Sequence, residues 1–140
     1  MPLGPELLGP LVRRLSDATL ERGFGVRPLQ RATLAVMARR FDPRAAAGFE
    51  GLIVYELSRP ETGRAPLSWT IEARHARART RPGAAPGAAL TLRLRLADFI
   101  RVSAGAIDPA TLLLTDRASV EGDLGLAARL PEMFGAPRPR

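Results

Sequence analysis

The chain has no cysteine, no lysine and no asparagine, and only one histidine, one tryptophan and one tyrosine. Without cysteine there is no disulfide framework, no thiolate metal site and no cysteine nucleophile. Without lysine there is no P-loop, and Gly23-Phe24-Gly25 is followed by Pro28 where a dinucleotide fingerprint needs its third glycine. The lone His75 lies between arginines at a predicted hairpin, where it reads as a solvated turn residue. Zinc needs three or four converging ligands and a serine triad needs a histidine in a cleft, so neither is expected, and no metal or other cofactor is implied. Acids are spread singly, and Glu56, Glu72 and Glu121 fall on polar strand faces, so no catalytic residue is singled out and no enzyme is expected. Long apolar runs are also absent: none approaches the roughly 18–20 residues that cross a bilayer. Met1-Pro2-Leu3-Gly4-Pro5-Glu6 carries an acid and a proline pair where a secretory signal needs basic and then apolar residues, which gives a cytoplasmic expectation.

What is present is arginine. All 21 basic residues are Arg against 14 acids, for a formal charge of +7, within a chain that is 46% hydrophobic and 25% charged. Those fractions are ordinary for a globular protein, and 140 residues suit one domain with one core. The arginine bias, with abundant Ala, Pro and Gly, suggests a GC-rich genome, which gives a bacterial expectation by association. A net positive field favours an anionic partner, but what it does depends on where the arginines lie.

Residues 5–22 place Leu8, Leu11 and Leu15 at helical spacing before Gly23, and a second helix is predicted from Pro28 to Phe41, stopped by Asp42-Pro43. From Gly51 the period becomes two. Ile53, Tyr55 and Leu57 share one strand face; Ser58–Pro66 is a loop; Leu67, Trp69, Ile71 and Ala73 form the next strand. A reversal at His75 leads to a third strand over Ala76–Arg81, and the Pro/Gly-rich residues 81–87 form a loop. Leu90-Thr91-Leu92-Arg93-Leu94-Arg95-Leu96 is a half-buried strand. Short helices follow over Asp98–Ala104 and from the Asp108-Pro109 start to Leu114. A fifth strand spans Arg117–Glu121, and a last helix runs from Asp123 past Pro131, a helix breaker, to Phe134.

The order of these elements and several local motifs resemble the sterol carrier protein 2, or non-specific lipid-transfer, domain family. The likeness is carried by Gly51-Leu52-Ile53-Val54-Tyr55, Trp69-Thr70-Ile71-Glu72-Ala73, Asp98-Phe99-Ile100 with Gly105-Ala106-Ile107-Asp108-Pro109, and Glu121-Gly122-Asp123-Leu124-Gly125-Leu126-Ala127. It implies an α+β fold: a five-stranded, mostly antiparallel sheet with helices packed on one face, enclosing an apolar tunnel for fatty acyl chains, sterols or other lipids. The domain would occupy residues 28–135, after an N-terminal helical extension over 1–27 and before a disordered tail at 136–140. There is no glycine in the His75-Ala76-Arg77 reversal and no peroxisomal address at the end. Arg27-Pro28-Leu29-Gln30-Arg31 ahead of a helix is similar to bacterial accessory factors of ubiquinone biosynthesis, which adds isoprenoid quinone precursors to the ligand classes and a biosynthetic enzyme to the partners.

By resemblance the lipid-binding residues are Ile53, Tyr55, Trp69, Ile71, Leu92 and Leu94 on the sheet, facing Phe99, Ile100, Leu112, Leu113, Leu126, Leu130, Met133 and Phe134. Periodicity alone cannot separate a tunnel from a filled core. Alternation puts Arg74, Arg77, Arg79, Arg81, Arg93, Arg95 and Arg117 on the polar sheet face, with Glu56 within reach of Arg93 or Arg95 and Glu72 within reach of a third-strand arginine. That face is either a solvated surface or a platform for anionic membrane headgroups through Arg77, Arg79, Arg93 and Arg95. Nucleic acid is the weaker partner, because no aromatics interleave with the arginines.

Overall fold

The computed structural model describes residues 14–24 and 26–134. Among the described residues, two helices, α1 (Asp17–Phe24) and α2 (Arg27–Arg39), precede strands β1 (Gly51–Arg59), β2 (Arg64–Arg74), β3 (Arg77–Pro82) and β4 (Leu90–Arg95). Helices α3 (Leu96–Ser103) and α4 (Pro109–Leu114), strand β5 (Ala118–Gly122) and helix α5 (Leu124–Met133) follow. The strand order is β3-β2-β1-β4-β5. Only the β1–β4 pairing is parallel, so the sheet is mostly antiparallel. The part of the first helix predicted over residues 5–13 lies outside the described residues, as does the tail; within them α1 continues through Gly23 to Phe24.

Alternation decides which face is buried. Ile53, Tyr55 and Leu57 of β1 and Trp69, Ile71 and Ala73 of β2 turn inward onto Leu20, Leu34, Phe99, Leu126 and Met133 from the helices. Polar caps start the short helices: Asp108 accepts from the Ala110 N–H at 2.9 Å and Asp123 from the Leu126 N–H at 3.0 Å. The β1–β2 loop is shorter than predicted, because pairing continues to Arg59 opposite Arg64 across a register irregularity. β3 reaches only as far as Trp69 alongside β2, so Pro66 interrupts no ladder on that side. β4 ends at Arg95 and Leu96 already begins α3, with no loop between them. At the exit of β5, a Cβ on Gly122 would lie 2.3 Å from the Ala89 carbonyl oxygen, which excludes any side chain there.

His75 and Ala76 both lie in the left-handed region, at φ 51° and 61°, and join paired residues Arg74 and Arg77. That is the geometry of a two-residue type I′ hairpin, which favours Asn-Gly and costs L-residues about 1–2 kcal/mol each in isolation. The His75 N–H is held by the Glu50 carboxylate at 2.8 Å. Replacing His75→Asn together with Ala76→Gly keeps that N–H and should stabilise the fold by about 1 kcal/mol, read as a rise in Tm. An unchanged or lower Tm would show that the turn residues carry no strain.

Two buried carboxylates weld the N-terminal helix to the sheet. Glu21 of α1, almost fully buried, accepts from the Glu61 and Thr62 N–H groups at 3.2 and 3.0 Å and from the Thr62 hydroxyl, which satisfies the β1–β2 turn. Asp98, with no exposed surface, accepts from Arg95, Arg101 and Arg117. Asp17 joins the same cluster through Arg95 at 2.6 Å and Arg101 at 2.5 Å. Arg95 and Arg117 lie on the polar side of the sheet, beside Glu56 and Arg93, but they are engaged by Asp98 rather than free. They fold over the sheet end onto Asp98, because the strand stops at Arg95 and Asp98 follows one turn later.

Burial works to raise the Asp17 pKa, but the Arg101 hydrogen bond and the charges of Arg101, Arg95 and Arg117 outweigh it and hold the carboxyl below its usual value. A depressed folded-state pKa gives stability that is present above the unfolded value, near 4, and lost as pH falls through the folded one. The Tm should therefore drop between about pH 5 and pH 3 by more in the wild type than in Asp17→Asn, which should already be lower at neutral pH. Parallel pH curves would exclude Asp17 as the acid-sensitive contact.

Candidate functional site

Between the β4–β5 half of the sheet and helices α4 and α5 lies an apolar cavity of about 110 Å³. Its floor is Tyr55, Leu92, Leu94, Ala118 and Val120 from three adjacent strands. Phe99, Val102 and Ser103 of α3, Leu112 and Leu113 of α4, and Ala127, Leu130, Pro131 and Phe134 on and just after α5 close it, with Met37 and Arg40 from the end of α2. The walls are held by aromatic contacts. Tyr55 and Phe99 meet edge to face with centroids 5.2 Å apart, and Phe41 lies 5.6 Å from Phe134. The Asp42 N–H donates to the Met133 carbonyl at 2.6 Å and fixes the end of α5 beside the end of α2.

Of the residues expected to contact lipid, Tyr55, Leu92, Leu94, Phe99, Leu112, Leu113, Leu130 and Phe134 line this cavity. Ile53, Trp69, Ile71, Ile100, Leu126 and Met133 do not: they are buried in the filled core. Trp69 is committed there, its indole N–H donating to the Gln30 side-chain oxygen at 3.1 Å. Met37, Arg40, Val102, Ser103, Pro109, Ala118, Val120, Ala127 and Pro131 line the cavity without having been picked out from sequence. The inward parity of Ala118 and Val120 on β5 and the small side chain of Ala127 were the available signals.

The cavity's rim is apolar. Leu113 lines it yet is 46% exposed, and its neighbour Leu114 is 85% exposed. Inside, polar groups are few. Burial pushes the Tyr55 phenol pKa well up, so the hydroxyl stays neutral. No group of three or more His, Cys, Asp or Glu side chains capable of holding a metal occurs among the described residues.

On the opposite face, Glu56 pairs with Arg93 at 2.7 Å, as the register Glu56↔Arg93 requires, and not with Arg95. Glu121 takes the other side of the same guanidinium at 2.8 Å. Glu72 stands opposite Arg79 in the register, but no ion pair joins it to a β3 arginine among the described residues.

The model of the SCP-2 sterol transfer family matches residues 35–135. The chain belongs to that family. Solved structures agree with the fold. Palmitated sterol carrier protein 2 like 2 from Aedes aegypti is 17% identical, with a TM-score of 0.55 over 76% of this chain and 98% of its own. Apo sterol carrier protein 2 from Yarrowia lipolytica is 20% identical, with a TM-score of 0.51 over 84% of this chain and 88% of its own. The sec-alkylsulfatase Pisa1 from Pseudomonas sp. is 19% identical at a TM-score of 0.61, and the SCP-2 chain covers 17% of that enzyme's length. No curated protein matches. No helix among the described residues of this SCP-2 family member is long and apolar enough to cross a membrane.

Proposed function

We propose that this SCP-2 family chain binds a hydrophobic lipid in the cavity beneath α4 and α5, and carries or presents it without changing it chemically. The observation that carries the reading is an apolar space inside the fold, walled by Leu92, Leu94, Leu112, Leu130 and Phe134 and rimmed by half-exposed Leu113. Each methylene buried there contributes about 0.8 kcal/mol, which gives affinity to fatty acyl, sterol or isoprenoid chains alike. At about 110 Å³ the cavity is smaller than the roughly 150 Å³ apolar space that admits benzene, so a long chain enters only as α4 and α5 part from the sheet. Native mass spectrometry with lipid extraction, followed by uptake of a fluorescent fatty acid, tests it. No co-purifying lipid and no uptake would overturn the carrier.

A second reading, presentation of an isoprenoid quinone intermediate to a biosynthetic enzyme, is supported by the exposed Leu114 next to the rim residue Leu113 and by the occurrence of this fold as a segment of a larger enzyme. It requires a stable complex that survives size-exclusion chromatography.

The basic face is reassigned. Arg93 is held between two glutamates and Arg95 is in the Asp98 cluster, whereas Arg74, Arg77, Arg79 and Arg81 on β2 and β3 have no carboxylate partner among the described residues. These four are the ones available to anionic headgroups, each worth about 1 kcal/mol near such a surface. Arg77→Glu with Arg79→Glu should weaken binding to phosphatidylglycerol vesicles by about tenfold or more, with Arg93→Gln changing it less than about twofold. Flotation assays at two salt concentrations check this, and equal losses in both variants would reject the reassignment.

A further inference from the structure

The two edges of the sheet are unlike. β3 ends it on one side with Arg77, Arg79, Arg81 and Pro82, a run that repels, or cannot bond, a strand laid beside it. β5 ends it on the other with Ala118-Ser119-Val120-Glu121-Gly122, which holds one charge and no proline. Among the described residues no strand pairs with the outer side of β5. Alternate N–H and C=O groups of an edge strand point away from the sheet and form a template for another strand. Large apolar side chains lie uncovered at both ends of this edge. Leu113 and Leu114, 46% and 85% exposed, end α4 just before β5, and Leu124, 69% exposed, opens α5 just after it.

We infer that β5 pairs with the β5 strand of a second copy of this chain, antiparallel about a two-fold axis at Ser119, and joins the two sheets edge to edge. The strand is complementary to itself in that register, as a two-fold interface requires. Ser119 faces the partner's Ser119, Ala118 faces the partner's Val120, and Arg117 faces the partner's Glu121, each unlike pair occurring twice. Arg117, Ser119 and Glu121 lie on the polar side of the sheet, so the new ion pairs form there. Both charges have capacity left. Arg117 meets Asp98 through Nε and Nη2, which leaves Nη1, and Glu121 meets Arg93 through Oε2, which leaves Oε1 on a side chain 71% exposed. An axis at Glu121 would instead oppose that acid to itself.

The same axis turns the Leu113–Leu114 end of α4, on the Ala118 side of the strand, toward the partner's Leu124, so exposed leucine meets exposed leucine. On the inner face Ala118 and Val120 belong to the cavity floor, and the partner's pair continues that floor past the edge. Two cavities then lie side by side on one face of the joined sheet. A five-residue strand pair with a few leucines is a small interface, so the dimer is weak, half formed at about 100 μM. Because it covers Leu114, it competes with docking of an enzyme on the same leucines.

Sedimentation velocity of the full chain from about 5 to 500 μM tests this, with circular dichroism confirming that each variant is folded. Wild type should pass from monomer to dimer over that range. Ser119 is exposed and its hydroxyl makes no hydrogen bond among the described residues, so a charge there leaves the monomer intact. Ser119→Lys and Ser119→Glu should each dimerise at least about tenfold more weakly than wild type, because like charges then face each other across the axis. An equimolar mixture of the two should recover a dimer at least as tight as wild type. Wild type that stays monomeric at the highest concentration would overturn the inference and leave the edge to an extended segment of another protein. A mixture that stays monomeric would overturn it as well. So would a Ser119→Lys protein that dimerises as tightly as wild type or more so, since an axis at Val120 sets residue 119 opposite the partner's Glu121. Lipid uptake is measured separately, and the carrier reading stands or falls without the dimer.

Discussion

Asp98→Ala should destabilise the protein by about 3 kcal/mol and lower its Tm by about 10 °C. Asp98 is fully buried and is the carboxylate shared by Arg95, Arg101 and Arg117. Removing it strips Arg117 of its only ion pair among the described residues, while Arg95 and Arg101 keep Asp17. Breaking a buried ionic group generally costs about 3–5 kcal/mol, because the surviving charges have already lost their water. The lower end applies because the side chains of Arg95 and Arg117 remain about a third exposed and can rehydrate. Against a total stability of about 5–15 kcal/mol this is the largest single-residue effect expected outside the hydrocarbon core. Asp98→Asn keeps the shape and removes the charge. A thermal melt showing Asn as tolerable, within about 1 kcal/mol of wild type, would mean that hydrogen bonding rather than charge holds the three arginines.

The same cluster marks the limit of what pattern shows. Alternation over Leu90, Leu92 and Leu94 fixed a strand and its buried face, and the Asp108-Pro109 pair and Asp123 marked helix starts, because those signals lie within a few residues of what they control. Arg95 and Arg117 obey the strand parity that assigned them outward, yet their partner Asp98 sits in a different element, and parity says nothing where a strand ends. Glu21 was likewise silent: it reads as one more acid on a helix, but it fills the β1–β2 turn some forty residues away.

The residues expected to face lipid divide for a volumetric reason. Under α1 and α2, the large side chains Leu20 and Leu34 fill the space above Ile53, Trp69 and Ile71. Under α4 and α5, the small side chains Ala118 and Ala127 leave the space above Leu92 and Leu94 open. On the sheet, Ile53, Trp69 and Ile71 share the inward parity of Leu92 and Leu94, and the bulk of what faces them separates core from cavity.

That division leads to the largest functional effect expected. If the space exists because Ala127 is small, Ala127→Leu should fill it from the helix side and lower uptake of a fluorescent fatty acid by more than about tenfold, the equivalent of displacing two or so buried methylenes. Ala127 is half-buried on α5 and faces both the sheet floor and the α4 wall. Leucine follows alanine closely as a helix former, so secondary structure imposes a penalty of only about a few tenths of a kcal/mol. Filling an existing void also differs from forcing bulk into a packed core, which would cost about 1–3 kcal/mol. The fold should therefore survive with its Tm within about 3 °C of wild type, or slightly above it. Loss of uptake with an unchanged melt places the ligand between α5 and the β4–β5 sheet. Full uptake by a folded Ala127→Leu protein would place it elsewhere, and a collapse in Tm would show that the space was already taken up by packing.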